Sequence, residues 1–93
     1  MNFEWDVAKS EACFAQRGFD FEYVAHAFVD PRRVVRPDRR WEYGEDRYQL
    51  LGTVAGRVFF VAYTVRGTTV RLISARKAND REVKAYENGA IET

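Results

Sequence analysis

The chain has 93 residues, a formal net charge of +1 and 46% apolar residues, with seven Phe, five Tyr and two Trp. This length predicts one domain, residues 1–93, with a single core built largely from aromatic rings. The sequence has no apolar run of transmembrane length, no signal-peptide pattern at its acidic N-terminus, and only one cysteine, which excludes an internal disulfide. These absences predict a cytoplasmic protein that does not associate with membranes.

The charge is unevenly distributed along the chain. Residues 1–30 hold two bases and six acids (net −4), residues 31–76 hold ten arginines and four acids (net +6), and residues 77–93 hold three bases and four acids (net −1). Arginine presents a rigid fork of donors that suits phosphate and carboxylate groups. The basic middle therefore predicts an anion-binding face, with nucleic acid as a candidate ligand, and a solvated surface is the alternative.

Two helices are predicted in the N-terminal third. Asp6 is a suitable N-cap for a helix over residues 7–16, and Gly18 is placed to end it in a left-handed conformation. Asp20 caps a second helix, which ends at Asp30-Pro31 because proline disfavours a helical residue before it. Four apolar residues at i, i+3, i+4 and i+7 give this second helix its buried face: Phe21, Val24, Ala25 and Phe28.

The sheet is predicted between residues 34 and 77. Val34-Val35 has the character of a brief edge strand, and residues 45–53 that of a full strand ending before a turn at Ala55-Gly56. Residues 57–77 then form a long hairpin, apolar on both faces in its middle. Residues 3–5 are expected to be an extended lead-in that precedes the first helix.

The C-terminal segment predicts one more helix. Asn79 is its N-cap, Glu82 is the capping-box partner, Gly89 ends it, and the tail over residues 90–93 is expected to fray. The order of elements predicts an α+β fold in which two N-terminal helices pack on a three- to four-stranded antiparallel sheet, followed by a C-terminal helix.

The hairpin carries arginines at both ends. With a two-residue turn at Arg66-Gly67, Arg57 lies directly opposite Arg76, and two facing arginines repel unless an anion or a carboxylate lies between them. Acidic and basic residues of the preceding strand are expected to reach the same end. The predicted phosphate site therefore contains Glu45, Arg47, Arg57, Ser74 and Arg76. A structural salt-bridge network between Glu45 and these arginines is the alternative interpretation.

Other residues give weaker signals. His26 is predicted to face solvent on the second helix, and Cys13 to be a buried or half-buried, unreactive residue. Trp41 and Tyr43 are candidates either for stacking on bases or for packing over the sheet. The sequence has no phosphate-binding loop, no dinucleotide-binding fingerprint and no metal-ligand spacing, so neither a cofactor nor a metal site is predicted.

Several segments resemble the BrnT toxins of type II toxin–antitoxin systems. The most specific are the opening Phe3-Glu4-Trp5-Asp6 and the run Arg71-x-Ile73-Ser74-Ala75-Arg76, and shorter matches such as Phe28-x-Asp30-Pro31 and Thr64-x-Arg66-Gly67 lie between them. The resemblance implies a RelE-like fold and a metal-independent ribonuclease that cuts RNA and halts translation. It also implies a BrnA-like antitoxin partner with a ribbon-helix-helix part, so that DNA is contacted only through the antitoxin.

Under this resemblance, the predicted reaction is attack of a ribose 2′-OH on the adjacent phosphate. Glu45 is the candidate base, and Arg57 and Arg76 would hold the non-bridging oxygens. Three further basic residues would follow the RNA backbone: Arg47, Arg71 and Lys77. The candidate general acid is Tyr63, Tyr86 or an arginine.

The chain departs from the family pattern at two places. Cys13 stands where Asn is usual, and Gln16-Arg17-Gly18 stands where Lys-His-Gly is usual. An arginine is always protonated and cannot serve as a general base. The alternative function is therefore a weakly active or inactive homologue that acts as the antitoxin's binding partner in a DNA-bound autorepressor complex.

Overall fold

A computed structural model describes residues 1–89. The elements run β1 (Asn2–Trp5), α1 (Val7–Arg17), α2 (Phe21–Val24), a 3₁₀ helix (Ala25–Val29), β2 (Val34–Pro37), β3 (Arg47–Val54), β4 (Arg57–Arg66), β5 (Thr69–Lys77) and α3 (Asp80–Glu87). None of the helices in this part of the chain has the length and hydropathy needed to span a membrane. The fraying predicted for residues 90–93 lies outside the described residues.

The sheet is five-stranded and mixed, in the order β1-β5-β4-β3-β2. β1 runs parallel to β5, and the other neighbours are antiparallel. The prediction of a three- to four-stranded antiparallel sheet is therefore wrong, because the expected lead-in at residues 3–5 pairs with the open edge of β5. Phe3 lies opposite Val70 and Trp5 opposite Leu72, so their rings add to the core that β5 already lines.

The predicted pair of N-terminal helices is also wrong. Only α1 is a full helix, whereas the second segment makes one α-turn and then tightens into the 3₁₀ helix. Close contact with the sheet accounts for this tightening, because Ala27 is fully buried and its backbone oxygen lies against Gly52. A Cβ atom on Gly52 would come within 2.6 Å of that oxygen, so the residue at this position must be glycine for the two segments to approach.

Local signals at the helix ends are confirmed. The Asp6 carboxylate accepts from the backbone N–H of Lys9 at 3.1 Å, and Gly18 ends α1 at φ +85°. At α3, Asn79 and Glu82 form the reciprocal capping box. These short-range interactions fix where helices begin and end, whereas the errors above concern long-range pairing.

The sheet separates two apolar clusters. The face covered by α1, α2 and the 3₁₀ helix is called the helix face, and its buried residues include Leu50, Phe59, Val61, Val70 and Leu72. The opposite face, called the α3 face, packs against α3 through Leu51, Val58, Phe60, Ala62 and Ala85. Because β4 alternates between the two clusters, each of its side chains is assigned to one face by its position alone.

A buried carboxylate joins the two sides of the molecule. Asp30, 8% exposed, accepts hydrogen bonds from the backbone N–H of Arg32 and from the backbone N–H and hydroxyl of Thr53. The hydroxyl of Tyr86 on α3 also donates to it. Burial opposes ionisation of Asp30, but these hydrogen bonds outweigh burial and lower its pKa to about 2.

Candidate functional site

The structure does not bring Arg57 and Arg76 together. The hairpin turn lies at Gly67-Thr68, one residue later than predicted, because Arg66 pairs with Thr69. A β-bulge follows, since Tyr63 pairs with Leu72 but Ala62 pairs with Ser74, which leaves one residue of β5 unmatched. The bulge changes which face the later residues of β5 occupy.

The bulge separates the two arginines onto opposite faces. Arg76 pairs with Phe60 on the α3 face, whereas Arg57 has the strand parity of Phe59 and lies on the helix face. The predicted register, which placed Arg57 against Arg76 and Ser74 against Phe59, is wrong. The phosphate site built on that register is therefore not assembled in the structure.

Arg76 makes a structural ion pair with α3. Its guanidinium donates to both carboxylate oxygens of Glu82, at 2.7 and 2.9 Å, and lies 4.2 Å from the centre of the Phe60 ring. Burial opposes ionisation of Glu82, but its hydrogen bonds with Arg76 and Asn79 lower the pKa. These contacts hold α3 against the sheet and occupy the donors that the prediction assigned to a phosphate.

Glu45 lies at the other end of β4. Its carboxylate pairs with Arg47 at 3.3 Å and with Arg66 at 3.4 Å. Arg66 is the last residue of β4 and Arg57 the first, and a strand of ten residues spans about 30 Å. The alternative interpretation, a salt-bridge network around Glu45, describes the structure, although of its two arginines only Arg47 belongs to the predicted site.

Two of the three basic residues predicted to follow the RNA backbone are also paired with carboxylates. Arg71 lies 3.6 Å from Glu4 on the neighbouring strand β1. Arg47 lies 4.1 Å from the centre of the Tyr43 ring as well as next to Glu45. The positive charge of Arg47 and Arg71 is thus partly neutralised by nearby carboxylates.

Neither candidate tyrosine adjoins Arg57. Tyr63 is 8% exposed on the helix face, stacked on Tyr48 at 5.4 Å, and burial raises its pKa. The hydroxyl of Tyr86 donates to Asp30, and this hydrogen bond raises the pKa of Tyr86. One phenol is enclosed in the core, and the other holds α3 to the segment around Asp30.

A cleft of about 570 Å³ on the helix face gathers basic and aromatic side chains from four elements. Arg17 ends α1, Arg57 begins β4 and Lys77 ends β5, and all three line the cleft. The pairing of Phe59 with Lys77 and the left-handed turn at Gly18 bring these ends together. The structure therefore joins two residues of the predicted site, Arg57 and Lys77, to Arg17, which the sequence presented only as a departure from the family.

The charge of this cleft is not balanced. Within residues 1–89, none of its three cations has a carboxylate oxygen within 4.0 Å, in contrast to Arg47, Arg71 and Arg76. Asp20 is the acidic residue that lines the cleft, and its Oδ1 accepts from the backbone N–H of Tyr23 at 2.9 Å. An anion entering the cleft would meet donors that no carboxylate of residues 1–89 already occupies.

The walls of the cleft include two exposed rings. Phe14 is 59% exposed and Tyr23 is 41% exposed. Both Tyr23 and Phe19 contact the ring of Phe59 edge to face, with ring centres 6.1 Å and 4.8 Å from it, respectively. The cleft thus combines an apolar aromatic wall with unneutralised positive charge.

The sequence contains a signal for these residues that the predicted site does not include. Phe14 and Arg17 are three apart and therefore share a face of α1, and Tyr23 lies off the buried stripe of α2. Exposed rings that gather in one cleft, as Phe14 and Tyr23 do, suggest a ligand contact, whereas a single exposed ring does not. For Asp20, the sequence indicates only its role as an N-cap.

The predicted burial of Cys13 and the predicted exposure of His26 are confirmed. Cys13 is buried, its pKa is raised by burial, and its thiol lies 3.8 Å from the backbone oxygen of Ala75. His26 is exposed. Among the described residues, no three or more His, Cys, Asp or Glu side chains are grouped as metal ligands.

A second cleft, of about 410 Å³, lies under the loop between β2 and β3. Trp41, 72% exposed, lines it together with Tyr43. Its charged lining is mainly acidic, from Asp38, Glu42, Glu45 and Asp46 against Arg39 and Arg47. This balance disfavours a polyanion, so Trp41 has the exposure but not the electrostatic setting expected for contact with RNA.

Comparison with known families agrees with the resemblance seen in the sequence. Residues 5–82 match the family described as the ribonuclease toxin BrnT of type II toxin–antitoxin systems. No curated protein matches the chain. The matched range includes α1, the whole sheet from β2 to β5, and every residue named as lining the basic cleft. The chain therefore belongs to the BrnT family of ribonuclease toxins.

Proposed function

We propose that this chain is a cytoplasmic toxin that cleaves RNA without a metal, halts translation, and is neutralised by a BrnA-like antitoxin. One observation carries the choice of site: Arg17, Arg57 and Lys77 converge without carboxylate partners among residues 1–89. A ribonuclease needs cations free to meet a phosphate, and this cleft offers them on a chain of a ribonuclease toxin family.

The proposed chemistry is an internal transfer at phosphorus. The ribose 2′-OH attacks the adjacent phosphate, its proton passes to a base, the bond to the 5′ oxygen breaks, and that oxygen takes a proton from an acid. The products are a 2′,3′-cyclic phosphate and a 5′-OH. Arg17 and Arg57 stabilise the negative charge that accumulates on the non-bridging oxygens, because each guanidinium group can donate two hydrogen bonds to a phosphate.

The proposed base is Asp20 in place of Glu45. Asp20 lines the same cleft as the cations, and only its Oδ1 accepts a hydrogen bond within the described part of the chain. The proposed acid is the Lys77 ammonium, which replaces Tyr63 and Tyr86. We do not carry Glu45 or Arg76 into the mechanism, because each is paired with charged neighbours far from Arg57 or on the other face.

Purified protein and a defined RNA test this proposal. Wild-type protein is expected to cut the RNA in the presence of EDTA and to leave a cyclic phosphate, identified by mass spectrometry. Arg57→Ala is expected to lower cleavage by at least tenfold. The matched control is Arg81→Ala, which removes an exposed charge on α3. Loss of cleavage in EDTA, or full activity of folded Arg57→Ala, would refute the mechanism.

In the second candidate function, the chain has little or no ribonuclease activity and acts as the antitoxin's binding partner in a DNA-bound autorepressor complex. It is favoured by Arg17, which cannot replace the usual histidine as a base. In that case purified wild type leaves RNA intact but still forms a stable complex with the product of an adjacent antitoxin gene. Operator DNA would then be bound by the complex and not by the toxin alone.

A further inference from the structure

The exposed rings of the basic cleft are suited to a ligand that has a flat, apolar part as well as a negatively charged part. Phe14 and Tyr23 line the cleft at 59% and 41% exposure, beside Arg17 and Arg57. Within residues 1–89, Phe14 has no aromatic partner, whereas Phe19 and Tyr23 both contact Phe59. An inorganic anion would use only the cations, so the rings remain unexplained by phosphate binding alone.

We infer that the cleft binds single-stranded RNA, with an unpaired base stacked on Phe14 or Tyr23 while its phosphates meet Arg17, Arg57 and Lys77. This inference rests on the proposed function and specifies its substrate class. Every base has a π-face, so stacking tolerates different sequences. Bases of an RNA duplex are stacked on one another and cannot reach the rings, so a duplex is excluded.

The arrangement of elements supports this division of roles. Phe14 and Arg17 lie one turn apart on α1, so a base at Phe14 and a phosphate at Arg17 are separated by a distance that one nucleotide can span. Arg57 and Lys77 lie at adjacent strand ends across the cleft. The cleft thus has the ring of Phe14 on the α1 side and the neighbouring cations Arg57 and Lys77 on the sheet side. Proteins that bind single strands combine aromatic rings and basic residues in this way.

Binding of an uncleavable RNA tests the inference separately from catalysis. The probe is a short 2′-O-methyl RNA, which lacks the attacking hydroxyl, labelled for fluorescence anisotropy. Phe14→Leu keeps an apolar side chain without the ring and is expected to weaken binding by roughly tenfold. Phe14→Trp enlarges the ring and is expected to restore or tighten binding. Val29→Ala, at an exposed apolar residue outside the cleft, is the matched control.

The outcomes distinguish this inference from the proposed function. Unchanged affinity in folded Phe14→Leu and Tyr23→Leu, with loss in Arg57→Ala, would overturn stacking and leave the phosphate site standing. Equal binding of the probe and of a duplex of the same sequence would also overturn it. If the wild type does not bind the probe, the inference fails, and the cleavage assay alone then decides the proposed function. Melting temperatures of the variants verify that each one folds.

Discussion

Tyr86 on α3 donates a hydrogen bond to Asp30, which lies 56 residues earlier in the chain. The same carboxylate also accepts from Thr53 on β3. A helix on one side of the sheet is thereby joined to the segment that follows the 3₁₀ helix on the other side. The contact is buried at Asp30, so its strength should be visible in the stability of the whole domain.

Removing the phenolic hydroxyl tests that link. Tyr86→Phe keeps the ring but leaves Asp30 with one donor fewer, and we expect the free energy of unfolding to fall by about 1.5–3 kcal/mol. Urea denaturation monitored by circular dichroism measures the change. Tyr23→Phe, whose ring is 41% exposed, is the control and should change stability by less than about 0.5 kcal/mol. Equal effects of the two substitutions would contradict the structural role of Tyr86.

The stability of the domain should depend on pH through Asp30. Its pKa is lowered from 3.8 to about 2 in the folded state, so its contribution is complete above pH 4 and is lost as the pH falls towards 2. A shift of this size corresponds to about 2 kcal/mol lost by pH 2.

Asp30→Asn isolates this effect from the other carboxylates. Asp38 and Glu82 also have lowered pKa values and titrate in both proteins, so their contributions cancel in the difference. The gap in unfolding free energy between wild type and Asp30→Asn should therefore shrink between pH 4 and pH 2. A gap that stays constant over this range would show that the Asp30 pKa is not lowered.

A substitution of Arg76 distinguishes the phosphate site predicted from the sequence, which includes this residue, from the basic cleft, which does not. Because its donors are paired with Glu82, Arg76→Ala should lower stability by about 1 kcal/mol and leave RNA cleavage by the folded protein within twofold. A double-mutant cycle with Glu82→Gln measures the pairing energy. Cleavage that falls as far in Arg76→Ala as in Arg57→Ala would return Arg76 to the active site.

The salt dependence of RNA binding counts the cations that contact phosphate. For single strands, each such contact contributes about 0.7 to the slope of log affinity against log salt. Lys77→Ala should reduce the slope by that amount, because Lys77 lines the cleft. Arg81→Ala should leave the slope unchanged. The measurement is a titration of 2′-O-methyl RNA at several salt concentrations, and an unchanged slope for Lys77→Ala would remove Lys77 from the site.

Local structure was predictable from the sequence, whereas long-range pairing was not. Asp6, Gly18 and Asn79 act on residues a few positions away, so their types alone indicated where helices begin and end. β1 has only four residues, and Phe3 pairs with Val70 near the far end of the chain. A pattern this short is compatible with a lead-in or a strand, and the open edge of β5 decides between them.

The candidate site was half predictable for a similar reason. Arg57 and Lys77 were predicted to contact RNA, Arg57 from its place at the start of the hairpin and Lys77 under the family resemblance, but their neighbours depend on register. One unmatched residue in β5 moves Arg76 away from Arg57, and no residue type in the run Leu72-Ile73-Ser74 marks where a bulge occurs. Arg17, by contrast, reaches the cleft through the end of α1, which the sequence did locate.

The bulge in β5 has a consequence for the neighbouring basic residues Arg76 and Lys77. Consecutive residues of a strand point to opposite faces, so only one of the two can enter the cleft, and the unmatched residue selects Lys77. If Ile73 were instead paired with Ala62, every later residue of β5 would shift by one position, and Arg76 would lie opposite Phe59 on the helix face. A shift of one residue in pairing, with no substitution at either basic position, would thus exchange a proton donor for a group that keeps its proton.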